Sequence, residues 1–169
     1  VTDGRARYAE AVSSGVLALL GSGETAPGMT KVHRALLEPL TPLTAVNLDT
    51  AYGFQLNVPQ MSEKLEEYFK TSLLIDLTTL HYVSFSGTSE LERTLFKQQV
   101  RAANFVFAGP GSPTYALSQW FPLHFGDDLL NVLDSGGTLC FASAAALTLG
   151  AFTAPIYEVY KVGIEEPHW

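Results

Sequence analysis

Ser143 ends an apolar run of strand type, "GGTLCFA", and leads straight into the small-residue stretch "AAAL". A serine placed where a strand turns into a helix gains a positive electrostatic environment for negative charge developing on a carbonyl oxygen. With a base to take its proton, such a hydroxyl attacks an amide or peptide carbonyl. The sequence pattern for that turn, G-x-S-x-G, keeps small residues at both flanks because the strained turn brings them against neighbouring strands. Here the five residues are Phe141, Ala142, Ser143, Ala144 and Ala145, so neither glycine is present. The same stretch also reads as a close-packed helix start with Ser143 as its N-cap.

Two further stretches are suited to a site: Gly21-Ser22-Gly23-Glu24 and Gly109-Pro110-Gly111-Ser112. Glycine permits positive φ and lets backbone N–H groups approach a ligand closely. Glu24 is either a group that hydrogen-bonds Ser143 or orients substrate, or a solvent-facing carboxylate near the start of the next helix. A serine nucleophile also needs a base, normally a histidine oriented by a carboxylate. The chain offers His33, His81, His124 and His168. His33 falls within a helix and His124 follows Pro122 in a crossover, so both read as solvated or structural. His81 lies in "TTLHYVSF", a segment without a clear assignment, and His168 lies in "EEPHW" beyond Ser143. Tyr52, Tyr115 and Tyr157 either line a pocket or fill the core.

Short apolar runs alternate with segments of helical period, which predicts an α/β fold: a three-layer, open, mostly parallel sheet with helices on both faces. Strands are expected at 15–21, 43–50, 72–77, 104–109 and 136–142. Helices are expected from Thr30 to Leu37, closed by Pro39; after a cap at Ser62, with Leu65, Tyr68 and Phe69 on the apolar side; from Ser89 to Arg101; and as a pair from Thr114 to Leu133 interrupted by Pro122. In such a sheet ligands bind beyond the carboxyl ends of the strands, so the two glycine loops and Ser143 share one edge. No repeat or linker divides the sequence, and a single domain over 1–169 is expected.

Ten basic residues against seventeen acidic ones give a net charge of −7, with no run of Lys and Arg, which argues against a nucleic-acid partner. Cys140 is the only cysteine, so an intrachain disulfide and a CxxC pair are excluded, and a cytoplasmic location is expected. The first residues do not read as a signal peptide, and no stretch is long enough to span a membrane, so no membrane partner is expected. The histidines lack H-x-x-x-H or H-E-x-x-H spacing, so neither a metal nor another cofactor is called for. The chain starts at Val1 and stops at "EEPHW" without a closing element, which raises the expectation of a domain incomplete at its C-terminus. Sheet edges exposed in that way would favour a homodimer.

In order and content the motifs "GSGETAPGM", "GPGSPTYAL" and "CFASAAALTLG" resemble the class I glutamine amidotransferase-like superfamily, in particular the serine peptidase branch that includes dipeptidase E and cyanophycinase. The similarity covers most of residues 15 to 163. It implies a flavodoxin-like sheet, hydrolysis of a small peptide or amide substrate, and Ser143 as nucleophile. It also implies an oxyanion hole from the backbone N–H groups of Ala144 and of Gly111 or Ser112, with Gly23, Glu24 and Tyr115 as groups that bind or orient substrate. The branch has Ser-Ala-Gly-Ala at its elbow, and Ala145 stands here in place of the glycine. The resemblance further places the catalytic histidine on a loop after strands that follow the serine, beyond the point where this sequence stops, which argues against His168.

Two other readings compete. One is a catalytically inactive member of the same superfamily used for binding. The other is a Rossmann-type dinucleotide-binding module, since Gly21, Gly23 and Ala26 satisfy G-x-G-x-x-G/A and Asp49 ends the second strand. Against the latter, Glu24 would stand near the pyrophosphate, and Pro27 with Gly28 disturbs the start of the helix.

Overall fold

The computed structural model describes residues 15–163. Strands β1 (Val16–Leu20), β2 (Ala45–Leu48), β3 (Leu77–Leu80), β4 (Phe105–Ala108) and β5 (Thr138–Ala142) form one parallel sheet in the order β1-β5-β4-β2-β3. Leu20 lies opposite Ala142, Phe141 opposite Ala108, Ala108 opposite Leu48, and Leu48 opposite Leu80. The strands therefore finish nearly level, and the loops that follow them gather on one edge.

Every residue of β2, β4 and β5 is buried, as expected of strands covered on both faces. On one face Val46, Leu48, Val106, Leu139 and Phe141 pack against Phe96 and Val100 of α3 (Glu90–Ala102), Trp120 of α4 (Pro113–Trp120) and Val132 of α5 (Gly126–Asp134). On the other, Ala45, Phe105, Phe107, Cys140 and Ala142 meet Leu37 of α1 (Thr30–Leu37), Leu65 of α2 (Val58–Tyr68), and Phe69 and Leu73. This is the three-layer α/β arrangement read from the alternation of strand and helix patterns. β1 is different: it is an edge strand, with Leu17 and Leu19 exposed. No helix among the described residues is long and apolar enough to cross a membrane.

The first helix has the expected bounds, and α3 opens on a reciprocal cap. The Ser89 hydroxyl accepts from the Glu92 N–H, while the Glu92 carboxylate accepts from the Ser89 N–H at 2.7 Å. Two expectations fail around α2. Its N-cap is Asn57, with Pro59 tolerated in the first turn, and Ser62 lies buried inside the helix. The run at 72–77, read as the third strand, does not form one until its last residue. Residues Phe69–Leu73 continue the helix as a π-helical turn, which ends at Leu74 in a left-handed conformation. The reason is spacing: Leu65, Phe69 and Leu73 recur every four residues and form one buried stripe, which outweighs the β-propensity of "LLI". β3 begins only at Leu77, within "TTLHYVSF".

Asp128 of α5 has no exposed side-chain surface. Arg101 Nε of α3 donates to one carboxylate oxygen, and Lys97 Nζ stands 3.4 Å from the other. Because the burial falls on the anion, removing a cation leaves its charge undercompensated. Arg101→Ala is expected to lower stability by about 1–2 kcal/mol in urea unfolding, with Lys97 retaining part of the pairing.

Candidate active site

Ser143 joins β5 to the single turn α6 (Ala144–Leu147) with φ 51° and ψ −120°. For a residue with a Cβ this is a sparsely populated conformation, costing roughly 1–3 kcal/mol, and it persists only where its surroundings over-determine it. They do so here. The Ser143 N–H lies 3.0 Å from the Leu20 carbonyl and 2.9 Å from that of Gly21, and the Ala145 N–H donates to the Gly109 carbonyl at 3.2 Å. The turn is thus pinned from one side by the loop after β1 and from the other by the loop after β4. Ala145 is fully buried in the core beneath β5, so the methyl that replaces the glycine of the resembling branch packs inward.

Ser143 opens into a cavity of about 460 Å³ whose polar end is formed with Gly21, Ser22 and Gly111 and whose apolar wall includes Leu19, Leu147 and Ile156. The N–H groups of Ala144 and Gly111 donate to no backbone oxygen among the described residues. Ser112 differs: its N–H is donated to the Ala51 carbonyl at 2.8 Å, so it is not free to stabilise an oxyanion. Its hydroxyl caps α4 by accepting from the Tyr115 N–H at 3.0 Å. Gly111 has φ 140°, and a Cβ there would meet the Ala51 oxygen at 1.9 Å, so only glycine fits. The helix after Ser143 has four residues, too few to build the dipole that a longer helix would offer. Any stabilisation of negative charge at this point rests on individual N–H groups.

A carboxylate stands beside the cavity. Glu158, at the start of the π-helical turn Glu158–Val162, accepts from the hydroxyls of Ser112, at 2.8 Å, and Thr114. Burial pushes its carboxyl up, but the hydrogen bonds from Thr114, from Ser112 and from its own backbone N–H outweigh that and hold it below the usual 4.5. Beside it Tyr157 packs edge-on against Phe54, with ring centroids 4.7 Å apart, and Phe54 packs on Tyr115. The hydroxyl of Tyr115 donates to the Val83 carbonyl, so it serves this cluster rather than the Ser143 cavity.

The remaining candidates are dispersed. Gly23 makes a turn with φ 77°, its carbonyl accepting from the Ala26 N–H at 2.9 Å. Glu24 lines a different cavity, of about 340 Å³, with Tyr52, Tyr68 and Phe107, and no hydrogen bond joins its carboxylate to Ser143 among the described residues. Tyr52 is buried and bonded to Asn47 and Ser62. Cys140 is buried, its thiol pushed up to about 12 by desolvation and the nearby Glu24, so it is no nucleophile.

Of the histidines, His33 is fully buried, its Nε2 2.7 Å from the Glu24 carbonyl oxygen. His124 caps the turn at the far end of α4. His168 lies outside the described residues. His81 is the one paired with a carboxylate: its Nδ1 is 2.8 Å from Asp49 Oδ2, while Asp49 Oδ1 accepts from the Tyr82 N–H at 2.9 Å. Burial holds the Asp49 carboxyl above its ordinary value despite the hydrogen bonds from Tyr82 and His81. The pair was missed because β3 was misplaced; correctly placed, "NLD" and "TTLH" end on neighbouring strands. It does not serve Ser143. β5 and β3 are separated by β4 and β2, and three strand spacings amount to about 14 Å.

No protein-family model matches the chain, and no curated protein matches it significantly. Its similarity is to solved structures. A crystal structure of a peptidase from an acI-B1 Actinobacterium superposes with a TM-score of 0.68 at 20% identity, over 83% of this chain and 58% of that one. The two proteins share a fold. This chain spans 58% of the length of that peptidase.

Two outcomes follow from the geometry. Ser143→Gly relieves the turn and should raise stability by about 1 kcal/mol in urea unfolding, after allowance for the added freedom of glycine in the unfolded chain; a less stable variant would show that no strain is stored there. The Glu158 contact, with its lowered folded pKa, contributes above pH 4.5 and is lost as pH falls through the folded value. The protection of the amides of residues 158–162, measured against their intrinsic exchange rates, should therefore fall in acid, and Glu158→Gln should flatten that dependence.

Proposed function

We propose that this chain carries the nucleophile and oxyanion hole of a serine peptidase-like hydrolase acting on a peptide or amide bond. Ser143 Oγ attacks the carbonyl carbon, and the carbonyl π electrons move onto its oxygen. The N–H groups of Ala144 and Gly111 receive that oxyanion. Collapse of the tetrahedral intermediate expels the amine, which takes up the proton lost by Ser143, and water then hydrolyses the acyl-enzyme. The observation that carries the reading is the backbone of Ser143: a non-glycine residue held at φ 51° and ψ −120° between a strand and a helix, with its side chain at a cavity. An N-cap serine needs no such strain, and no side-chain cap bond is formed. The shared fold with a peptidase is consistent with the reading.

The dinucleotide alternative finds no support in the topology. Its fingerprint needs the acidic residue on a strand beside β1, whereas β2 lies about 14 Å away across β5 and β4. Asp49 is moreover buried and occupied by Tyr82 and His81. The inactive-binder alternative is favoured by one observation: none of His33, His81 and His124 lines the Ser143 cavity or hydrogen-bonds Ser143, so no described histidine is placed as its base.

Intact-protein mass after incubation with a fluorophosphonate probe decides between the two. An active enzyme gives a single adduct that is absent from Ser143→Ala. A folded, full-length protein that stays unlabelled is the inactive binder.

A further inference from the structure

Among the described residues the Ser143 cavity has no charged side chain in its lining: beyond glycine and two serines it is walled by carbon, Leu19, Pro113, Leu147 and Ile156 among it. A nearby place built to receive a carboxylate is the start of α4, where the Ser112 and Thr114 hydroxyls converge. That place is filled by the protein's own Glu158. Ser112 sits between two residues of the cavity wall, Gly111 and Pro113, and Ile156 of the wall is two residues from Glu158. A substrate carboxylate entering here would lose its hydration to a carbon wall and meet a like charge beside it.

We infer that the cavity selects a neutral, apolar acyl chain and rejects acidic ones, with Ile156 and Glu158 as the residues that set this preference. The inference rests on the reading of Ser143 as the nucleophile, because that reading makes the cavity the acyl site. Specificity then comes from removing apolar surface from water, worth about fourfold in affinity per methylene.

The test is a titration of the full chain followed by NMR of the Ile156 and Leu147 methyl groups. It uses three amides of equal length: hexanamide, the monoamide of adipic acid, and 6-aminohexanamide. Hexanamide should shift these methyls and bind at least tenfold more tightly than either charged analogue, and shortening it to butanamide should weaken binding about 16-fold. Ile156→Lys should weaken hexanamide at least fivefold and improve the adipic monoamide. Glu158→Gln keeps the hydroxyl contacts but removes the charge, and should narrow the discrimination against the carboxylate. Equal or tighter binding of the adipic monoamide by the unaltered protein overturns the inference, as does the absence of any shift with hexanamide. Binding does not require a reactive serine, so fluorophosphonate labelling separates the two claims. Hexanamide binding without labelling refutes the hydrolase reading alone, and labelling with indifference to charge refutes the specificity alone.

Discussion

The site depends on the register between β5 and its two neighbours. Because Ala142 lies opposite Leu20 and Phe141 opposite Ala108, the amide of Ser143 arrives where the carbonyls of Leu20 and Gly21 point, and Gly109 is in place to take the N–H of Ala145. A slip of one residue would reverse every side chain of β5. Phe141, fully buried beside Trp120, would leave the core for the opposite face. The core packing of one strand therefore fixes a backbone conformation at its end, which is how a strained serine is tolerated in a fold that gains nothing locally from the strain.

The same edge of the sheet holds a second polar arrangement with a different purpose. Asp49 accepts from the Tyr82 N–H, and the neighbouring Thr50 hydroxyl donates to the Tyr82 carbonyl at 2.7 Å. The two side chains after β2 clamp the N–H and the carbonyl of one residue after β3, and this sets the buried Tyr82 ring on Phe96, with centroids 4.6 Å apart. A carboxylate at a strand end is here part of the scaffold. Ser62 follows the same logic. Its hydroxyl meets the Tyr52 hydroxyl at 3.0 Å, and Tyr52 accepts from Asn47 of β2, so a serine that looks like a cap is a link between α2 and the sheet.

The strand-helix alternation, the shared edge of the glycine loops and the strand-to-helix step at Ser143 were legible in the sequence because each depends on local chemistry: apolar runs, glycine, and small residues after a strand. What escaped were features that depend on who sits beside whom. Strand order cannot be read from a run of residues, so Asp49 looked available to a ligand bound at Gly21 when three strand spacings separate the two loops. "SLLIDL" has the composition of a strand, but its leading leucine completes a helical stripe begun at Leu65. Glu24 follows the first glycine loop in sequence, yet that loop divides its residues between two cavities: Ser22 faces one and Glu24 the other.

The treatment of Ser112 shows how these levels combine at the site. In the proposed mechanism an oxyanion needs two donors held by separate elements, Ala144 by the turn after β5 and Gly111 by the loop after β4. With only a four-residue helix behind Ser143, little help comes from a dipole, so the aim of each N–H matters. The Gly111 peptide is held because the next N–H, that of Ser112, is bonded to Ala51, and because glycine alone leaves room for the Ala51 oxygen against the chain. The Ser112 hydroxyl meanwhile caps α4 and binds Glu158, which fastens the segment carrying Ile156 beside the cavity. In that mechanism Ser112 is a positioning residue: its N–H is spent on fixing the proposed donor one residue earlier, and its side chain on fixing a wall.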